Sequence, residues 1–336
     1  MHPATDIRRA GSATDRRIVG CGLYPERVIP LGQYPAPHHV IAHISDTHFL
    51  GGSTPLYGEV TTDANLVQAL EQLERSGLRP EAIVFTGDLA DLGEADAYTR
   101  LRGIVEPAAA RLGAQVIWVM GNHDERPEYS SLLFDEEPSM APQDRVYDIN
   151  GLRIISFDTT VPGYHHGEIS DEQLAWLAEE LTTPAEHGTL LAVHHPPVPT
   201  PLLWAMEMLE LHGQERLAAV IRGTDVRGIL GGHLHYSSHS TFAGVPVSVA
   251  AATCYTLTLT AKDRLLSGVN ADQAMNLVHV YEDSLVHSIV PIGDRVEITG
   301  FSSEFVGRIE AMTPEQRLEM FSKKTSGFNL GEEPQV

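Results

Sequence analysis

Val40-Ile-Ala-His-Ile-Ser-Asp-Thr-His48 is a short apolar run that ends on two side chains of the metal-binding kind, Asp46 and His48. A run of this length between polar residues has the dimensions of a buried strand. If the chain stays extended through Asp46 and His48, residues two apart point to one side and one ion takes both. The same construction returns in Glu81-Ala-Ile-Val-Phe-Thr-Gly-Asp88, Gln115-Val-Ile-Trp-Val-Met-Gly-Asn-His-Asp124, Val193-His-His-Pro196 and Val226-Arg-Gly-Ile-Leu-Gly-Gly-His-Leu-His235. Between these runs lie stripes of helical period. Leu66, Val67, Leu70 and Leu73 start after a cap at Thr62 or Asp63 and stop at Gly77, before Pro80. Ala97, Leu101, Ile104, Val105, Ala108 and Leu112 stop at Gly113. Alternating strands and helices predict an α/β fold with the polar ends at the C-terminal edge of a sheet.

From Tyr147 the pattern changes. Asp148-Ile-Asn-Gly151 reads as a turn and Leu152 to Asp158 as the returning strand, which predicts a hairpin and a second, mixed sheet. Helices are expected near Asp171 to Leu181 and Glu215 to Arg222. Thr241 to Ala251 and Asn276 to Ile292 read as a β-rich closing section. The expected architecture is α/β, with two mixed β-sheets packed as a sandwich and flanked by helices.

Seven polar residues at the strand ends, Asp46, His48, Asp88, Asn122, His194, His233 and His235, read together as a two-metal site. Asp88 follows a glycine that lets backbone approach closely, and a carboxylate shared by both ions would fix their separation. His233 and His235 could give one imidazole to each ion. Nitrogen and oxygen donors without thiolate suit Fe, Mn, Zn or Co, with Fe and Mn in front, rather than Ca or Mg. Two such ions about 3.5–4 Å apart hold a bridging hydroxide and polarise a phosphoryl oxygen, so the implied reaction is phosphoester hydrolysis. His123 adjoins a candidate ligand and is the expected general acid, with Asp124 orienting or charging it.

These blocks, in this order, resemble those of the calcineurin-like metallophosphoesterases: D-x-H, G-D, G-N-H-[DE], H and G-H-x-H. The likeness runs from about Val40 to about Val290. Within that superfamily His43-Ile-Ser-Asp-Thr-His48, Val84-Phe-Thr-Gly-Asp-Leu-Ala-Asp91, Val119-Met-Gly-Asn-His-Asp124, His194-His-Pro-Pro197 and Gly232-His-Leu-His-Tyr236 look like the bacterial class III cyclic nucleotide phosphodiesterases, the actinobacterial type in particular. The resemblance implies Asp46, His48, Asp88 and His235 around a first metal, and Asp88, Asn122, His194 and His233 around a second. It puts His123 in the proton-donor position and His195 beside a ligand, and it suggests a homodimer and the layered sandwich. The expected activity is hydrolysis of 3',5'-cAMP to 5'-AMP by a metal-bridging hydroxide. The alternatives are a 2',3'-cyclic or general phosphodiesterase, a phosphomonoesterase, or a metal-bound scaffold that no longer turns over. Asn122, His123, His195 and His166 are the expected substrate contacts.

The 336 residues, 42% of them hydrophobic, are ample for a sizeable core. Lys and Arg number 23 against 45 Asp and Glu, a formal net charge of -22, which argues against long nucleic acid as a partner. The cysteines Cys21 and Cys254 have no metal spacing and fit a reducing compartment. Arg8, Arg9, Arg16 and Arg17 are followed by no apolar stretch of signal-peptide length, so neither export nor a transmembrane span is expected, and a cytoplasmic location is. The expected organisation is an N-terminal extension at 1–38, a catalytic domain at 39–300 and a tail at 301–336. In that tail Thr313-Pro-Glu-Gln316 has the form of a helix start. Three readings stay open on sequence alone. Tyr57 either stacks on substrate or packs against the protein, His165 and His166 either line the pocket or form a solvated pair, and Asp158 either joins the site or caps the turn at Thr159-Thr160.

Overall fold

The computed structural model describes residues 32–261, 263–294, 296, 298 and 304–328. Most of the expected N-terminal extension, with Cys21, and the last residues of the tail lie outside the described residues. Two compact units divide the chain: Ala36–Gly293, and a smaller unit that includes 32–35 and the described residues from Asp294 onward.

In the larger unit the chain order is β1 (His39–Ile44), α1 (Thr62–Arg75), β2 (Ala82–Thr86), α2 (Ala95–Leu112), β3 (Gln115–Val119), α3 (Arg126–Phe134), β4 (Arg145–Ile149) and β5 (Leu152–Phe157). It continues with α4 (Asp171–Glu180), β6 (Thr189–Val193), α5 (Gln214–Ile221), β7 (Val226–Gly231), β8 (Ser238–Phe242) and β9 (Val245–Val249). The short β10 (Thr256–Leu257) and β11 (Gly268–Val269) pair with each other, and β12 (Ala274–Val280) and β13 (Leu285–Pro291) close the unit.

One sheet has the order β13-β12-β1-β2-β3 and the other β4-β5-β6-β7-β9-β8. Within the first, β1, β2 and β3 are parallel; within the second, β5, β6, β7 and β9 are. Antiparallel partners make both sheets mixed, as the sequence predicts. Parallel pairing has a direct consequence for function. The C-terminal ends of β1, β2 and β3 leave one sheet at the same edge, and those of β6 and β7 leave the other in the same way.

Three apolar layers hold this arrangement. Ile41, Val84, Ile117 and Val119 of one sheet pack against Ile154, Leu190, Ala192 and Leu230 of the other. Outside the first sheet, Leu66, Leu70 and Leu73 of α1 and Leu101, Val105 and Leu112 of α2 cover Ile44, Phe85 and Trp118. Outside the second, Leu174 and Leu177 of α4 and Leu217 and Ile221 of α5 cover Phe157, Leu191 and Ile229. The α1 stripe differs in one place from its expectation: Ala69 is buried where Val67 is only partly covered. The cap of α1 also shifts, to Thr61, whose side chain makes no capping hydrogen bond. Gly113 ends α2 in the left-handed conformation that glycine adopts without strain. The β4–β5 hairpin turns on Asn150 and Gly151, both with positive φ (50° and 95°), the pair that a two-residue hairpin loop of the primed type requires.

In the smaller unit α6 (Glu304–Glu310) precedes α7 (Pro314–Arg317), which runs on into a π-helical turn over Leu318–Ser322. Thr313 caps α7 with the expected capping box: Gln316 N donates to Thr313 Oγ1 (3.2 Å), and Thr313 N donates to Gln316 Oε1 (2.8 Å). Phe305, Phe321 and Phe328 pack their rings with centroids 4.6–5.9 Å apart. Among the described residues no helix is long and apolar enough to cross a membrane.

Candidate metal centre

All seven expected ligands come together where the strand ends of the two sheets meet. Asp46, His48, Asp88 and His235 each present one donor atom within 4.8 Å of the others, and His194 and His233 do so with His195. Asp88 Oδ2 lies between the two groups, 3.4 Å from His48 Nε2 and 3.3 Å from His194 Nε2. Asn122 Oδ1 is 3.0 Å from His194 Nε2, and His235 Nε2 is 3.5 Å from Asp46 Oδ1. Asn122 is partly exposed and the other six are buried.

The side chains converge for a different reason than strand alternation. β1 ends at Ile44, and Asp46 and His48 both take left-handed backbone, with φ 52° and 46°. Asp88, His233 and His235 do the same at 50°, 69° and 58°. Such φ values cost a non-glycine residue on the order of 1–3 kcal/mol each and persist only where the surroundings impose them. Here the strand ends impose them: His48 N donates to Asp88 O (2.9 Å), Asp46 N to Gly87 O (3.1 Å), and His233 N to the Asp46 carboxylate (3.1 Å).

Glycines allow this closeness. A Cβ on Gly87 would come within 2.5 Å of His194 Nδ1 and 2.7 Å of Gly121 Cα, and a Cβ on Gly121 would collide with the amide nitrogen and carboxylate of Asp88. Gly121→Ala is therefore expected to push Asp88 off its position. Overpacking of this kind costs about 1–3 kcal/mol. A lowered melting temperature together with lost metal content would show it; unchanged values for both would refute it.

Each central imidazole is oriented by a partner on its far nitrogen. His48 Nδ1 donates to Asp91 Oδ1 (2.8 Å), His194 Nδ1 to Thr86 O (2.8 Å) and His235 Nδ1 to Tyr255 O (2.9 Å). The carbonyls can only accept, so Nδ1 carries the hydrogen and Nε2 is turned to the centre. His233 is reversed: Nε2 donates to Leu209 O (3.0 Å), leaving Nδ1. The Nε2 atoms of His48 and His235 face each other at 3.1 Å. With Nδ1 protonated on both rings, each Nε2 presents a lone pair, and a proton or a metal ion between them relieves that approach. The electrostatics agree, because Asp88 lifts His194 to about 9 although burial opposes it. Burial pushes Asp46 up to about 6, a cost that a cation would cancel. An all-nitrogen and oxygen donor set that draws in positive charge fits metal ions.

Three expected roles, those of Asp124, His166 and His195, are corrected. Asp124 does not orient His123: its oxygens accept from Leu89 N, Ala90 N, Tyr98 OH and Gly121 N at 2.8–3.1 Å, stitching the loop after β2 to the loop after β3. Burial and then the charge of Asp88 raise it to about 6. The group beside His123 is Asp91, whose carbonyl accepts from His123 Nδ1 (2.8 Å) and whose Oδ1 lies 3.6 Å away. Asp91 thus joins a candidate ligand, His48, to the candidate acid. Its signal in the sequence is its place three residues after Asp88.

The second correction concerns His166. Its Nε2 turns to Glu168 Oε1 (3.2 Å), whereas its neighbour His165 accepts from Asn122 Nδ2 (2.8 Å) and lies with its ring tilted against that of His123, centroids 4.9 Å apart. His195 is fully buried, accepting from Thr159 Oγ1 (2.8 Å) and donating from Nε2 to His165 O (3.1 Å). Burial and then His194 drive it down to about 3, so it is neutral and holds the His165 backbone rather than facing the opening. Tyr57 packs edge-on against Tyr255 at 5.5 Å. Asp158 caps its turn through Thr160 N (2.8 Å) and also pairs with Arg126 (3.0 Å). A cavity of ≈ 370 Å³ opens beside the centre, lined by Asn122, His123, Asp91, Arg126, Met140 and the segment Thr160 to His165, among others.

Residues 39–237 match the model of the calcineurin-like phosphoesterases. The chain is 59% identical over 271 residues to a cAMP/cGMP dual specificity phosphodiesterase of Mycobacterium tuberculosis, covering 81% of this chain and 85% of that protein. It is 31% identical over 216 residues to the 3',5'-cyclic adenosine monophosphate phosphodiesterase CpdA of Haemophilus influenzae, covering 64% of this chain and 76% of that protein. Among solved structures, the purple acid phosphatase PPD1 of yellow lupin superposes with a TM-score of 0.55 at 12% identity, over 76% of this chain and 52% of that one. That likeness shows the shared fold. With two sheets meeting at a cluster of imidazoles and carboxylates, and with these matches, the chain belongs to the calcineurin-like phosphoesterase family.

Proposed function

We propose that this chain hydrolyses 3',5'-cyclic nucleotides, cAMP foremost, to the 5'-monophosphate. The observation that carries the reading is Asp88 Oδ2 held 3.3–3.4 Å from imidazoles of both ligand groups beside an open cavity. Asp46, His48, Asp88 and His235 would hold one metal ion, and Asp88, Asn122, His194 and His233 the other, with Fe or Mn suited to the donors. Two such ions, when bound, polarise the phosphoryl group and supply the attacking oxygen.

The chain's own residues do the rest. Asp91, Thr86 and Tyr255 fix three imidazoles through Nδ1. Asp88 Oδ1 accepts from His123 N (2.9 Å), tying the proposed acid to the bridging carboxylate. With Nδ1 of His123 held by the Asp91 carbonyl, Nε2 is the nitrogen left to give a proton to the departing O3' of the ribose. Asn122, whose Nδ2 is bonded to His165, contributes both to the metal set and to the cavity where the diester would sit. The cavity falls within the size range of small-molecule sites. The names of the relatives support the cyclic nucleotide class, and two copies of the chain are the proposed assembly.

Initial rates on 3',5'-cAMP, 2',3'-cAMP and a p-nitrophenyl monoester, with Mn-reconstituted protein, test this directly. The expected order puts 3',5'-cAMP first. Activity confined to the 2',3' ester or the monoester would keep the metal chemistry and overturn the substrate.

A further inference from the structure

His166, Glu168 and His212 form a second cluster of metal-binding side chains, at the surface, and we propose that it is a separate site for a transition-metal ion of the Zn2+ type. One donor atom from each lies within 4.8 Å of the others. Glu168 Oε1 is the hub, 3.2 Å from His166 Nε2 and 3.6 Å from His212 Nδ1. In a tetrahedral zinc site with bonds near 2.0–2.1 Å, neighbouring donor atoms sit about 3.3 Å apart. One edge of that tetrahedron is already at this spacing at 3.2 Å and a second is slightly longer at 3.6 Å, and the two rings lie 4.7 Å apart at 33°.

The backbone holds the three side chains in place. Gly167 N donates to Glu210 O (3.2 Å), His212 N to Gly167 O (2.7 Å), and Glu168 N to Thr159 O (3.0 Å). A Cβ on Gly167 would fall 2.7 Å from His195 Cγ, so that face of the segment is closed by His195. His166 is half-buried and Glu168 exposed, so both side chains reach the surface beside that closed face. Glu168 and His212 are more than half exposed, which gives an ion a route in and leaves its fourth position to water.

Two imidazoles and one carboxylate favour Zn2+, Ni2+ or Cu2+ over Ca2+ or Mg2+. The site also has a mechanical connection to the catalytic edge. His165, next in the chain, accepts from Asn122 Nδ2 and from His195 through its carbonyl. An ion on His166 and Glu168 would pin the segment that keeps His165 there.

The test is Zn2+ titration of the full chain by equilibrium dialysis, comparing the unmodified protein with His212→Ala and Glu168→Gln. Both variants are expected to bind one Zn2+ fewer per chain. Equal stoichiometry in all three proteins would overturn the site. Because the comparison is a difference between chains with the same catalytic residues, it holds whatever the catalytic centre binds. Hydrogen exchange of the amides at 165–168 tests the pinning: it is expected to slow with Zn2+ in the unmodified protein and not in His212→Ala. Lost stoichiometry with unchanged exchange would keep the ion site and overturn the pinning.

Discussion

Asp88→Ala is expected to abolish metal loading and hydrolysis together while leaving the metal-free chain folded. Among the described residues, Asp88 Oδ2 is the one carboxylate atom within 3.4 Å of imidazoles from both ligand groups, so its loss removes a proposed ligand from each ion at once. Metal ions contribute several kcal/mol of transition-state stabilisation, and each 1.36 kcal/mol is tenfold in rate, so the loss should be at least about 10³-fold. In the metal-free chain Asp88 has contacts of both signs. Burial, with Asp88 adding to it, raises both Asp46 and Asp124 to about 6, so removing the Asp88 charge relieves two buried carboxylates, but it also takes the counter-charge from His48 and His194 and the acceptor from His123 N. The melting temperature without metal should therefore fall, because these buried partners are left unpaired, while the further rise on adding Mn2+ should disappear. Bound metal measured by plasma spectrometry, with melting curves with and without Mn2+, checks both parts. Full metal content in Asp88→Ala would sink the bridging role.

His123→Ala is expected to keep the metals and lose the reaction in proportion to how poor the leaving group is. Removing a general acid costs about 10²–10⁴-fold when the departing group is an alkoxide such as ribose O3'. A p-nitrophenolate needs little help, so bis-p-nitrophenyl phosphate should be turned over with a much smaller loss. His123 Nδ1 is bound to the Asp91 carbonyl and its ring packs edge-on against His48 at 4.7 Å beside the cavity, so truncation removes a packing neighbour of one candidate ligand but none of the seven donor groups. Equal losses on both substrates would argue that His123 positions the diester rather than protonating it. A collapse of metal content would instead make it part of the metal scaffold.

Much of this was legible in the chain alone, for a physical reason. Apolar runs of five or six residues between glycine and polar punctuation have few ways to bury themselves, and alternation with amphipathic helices narrows them to sheets covered by helices. Ligand types follow the same logic, since Asp46, His48, Asp88, Asn122, His194, His233 and His235 each end such a run. Periodicity could not reveal the backbone of those ends. Five candidate ligands sit in left-handed conformations, which no pattern of period 2 or 3.6 encodes. It also could not separate adjacent residues: His165 reaches Asn122 while His166 turns to Glu168, and a single peptide decides between them.

The sequence by itself determined the layers, the order of the strands' polar ends and the donor chemistry collected there, because burial and side-chain type are local properties of each segment. Only the tertiary structure decided which groups serve those donors. Asp124 is consumed by backbone amides from two loops, and Asp91 takes its place beside His123, because the amides at Leu89, Ala90 and Gly121 must be satisfied once the ends of β2 and β3 are buried together. Such a demand exists only after distant segments have met, and so it is written in no single stretch of the chain.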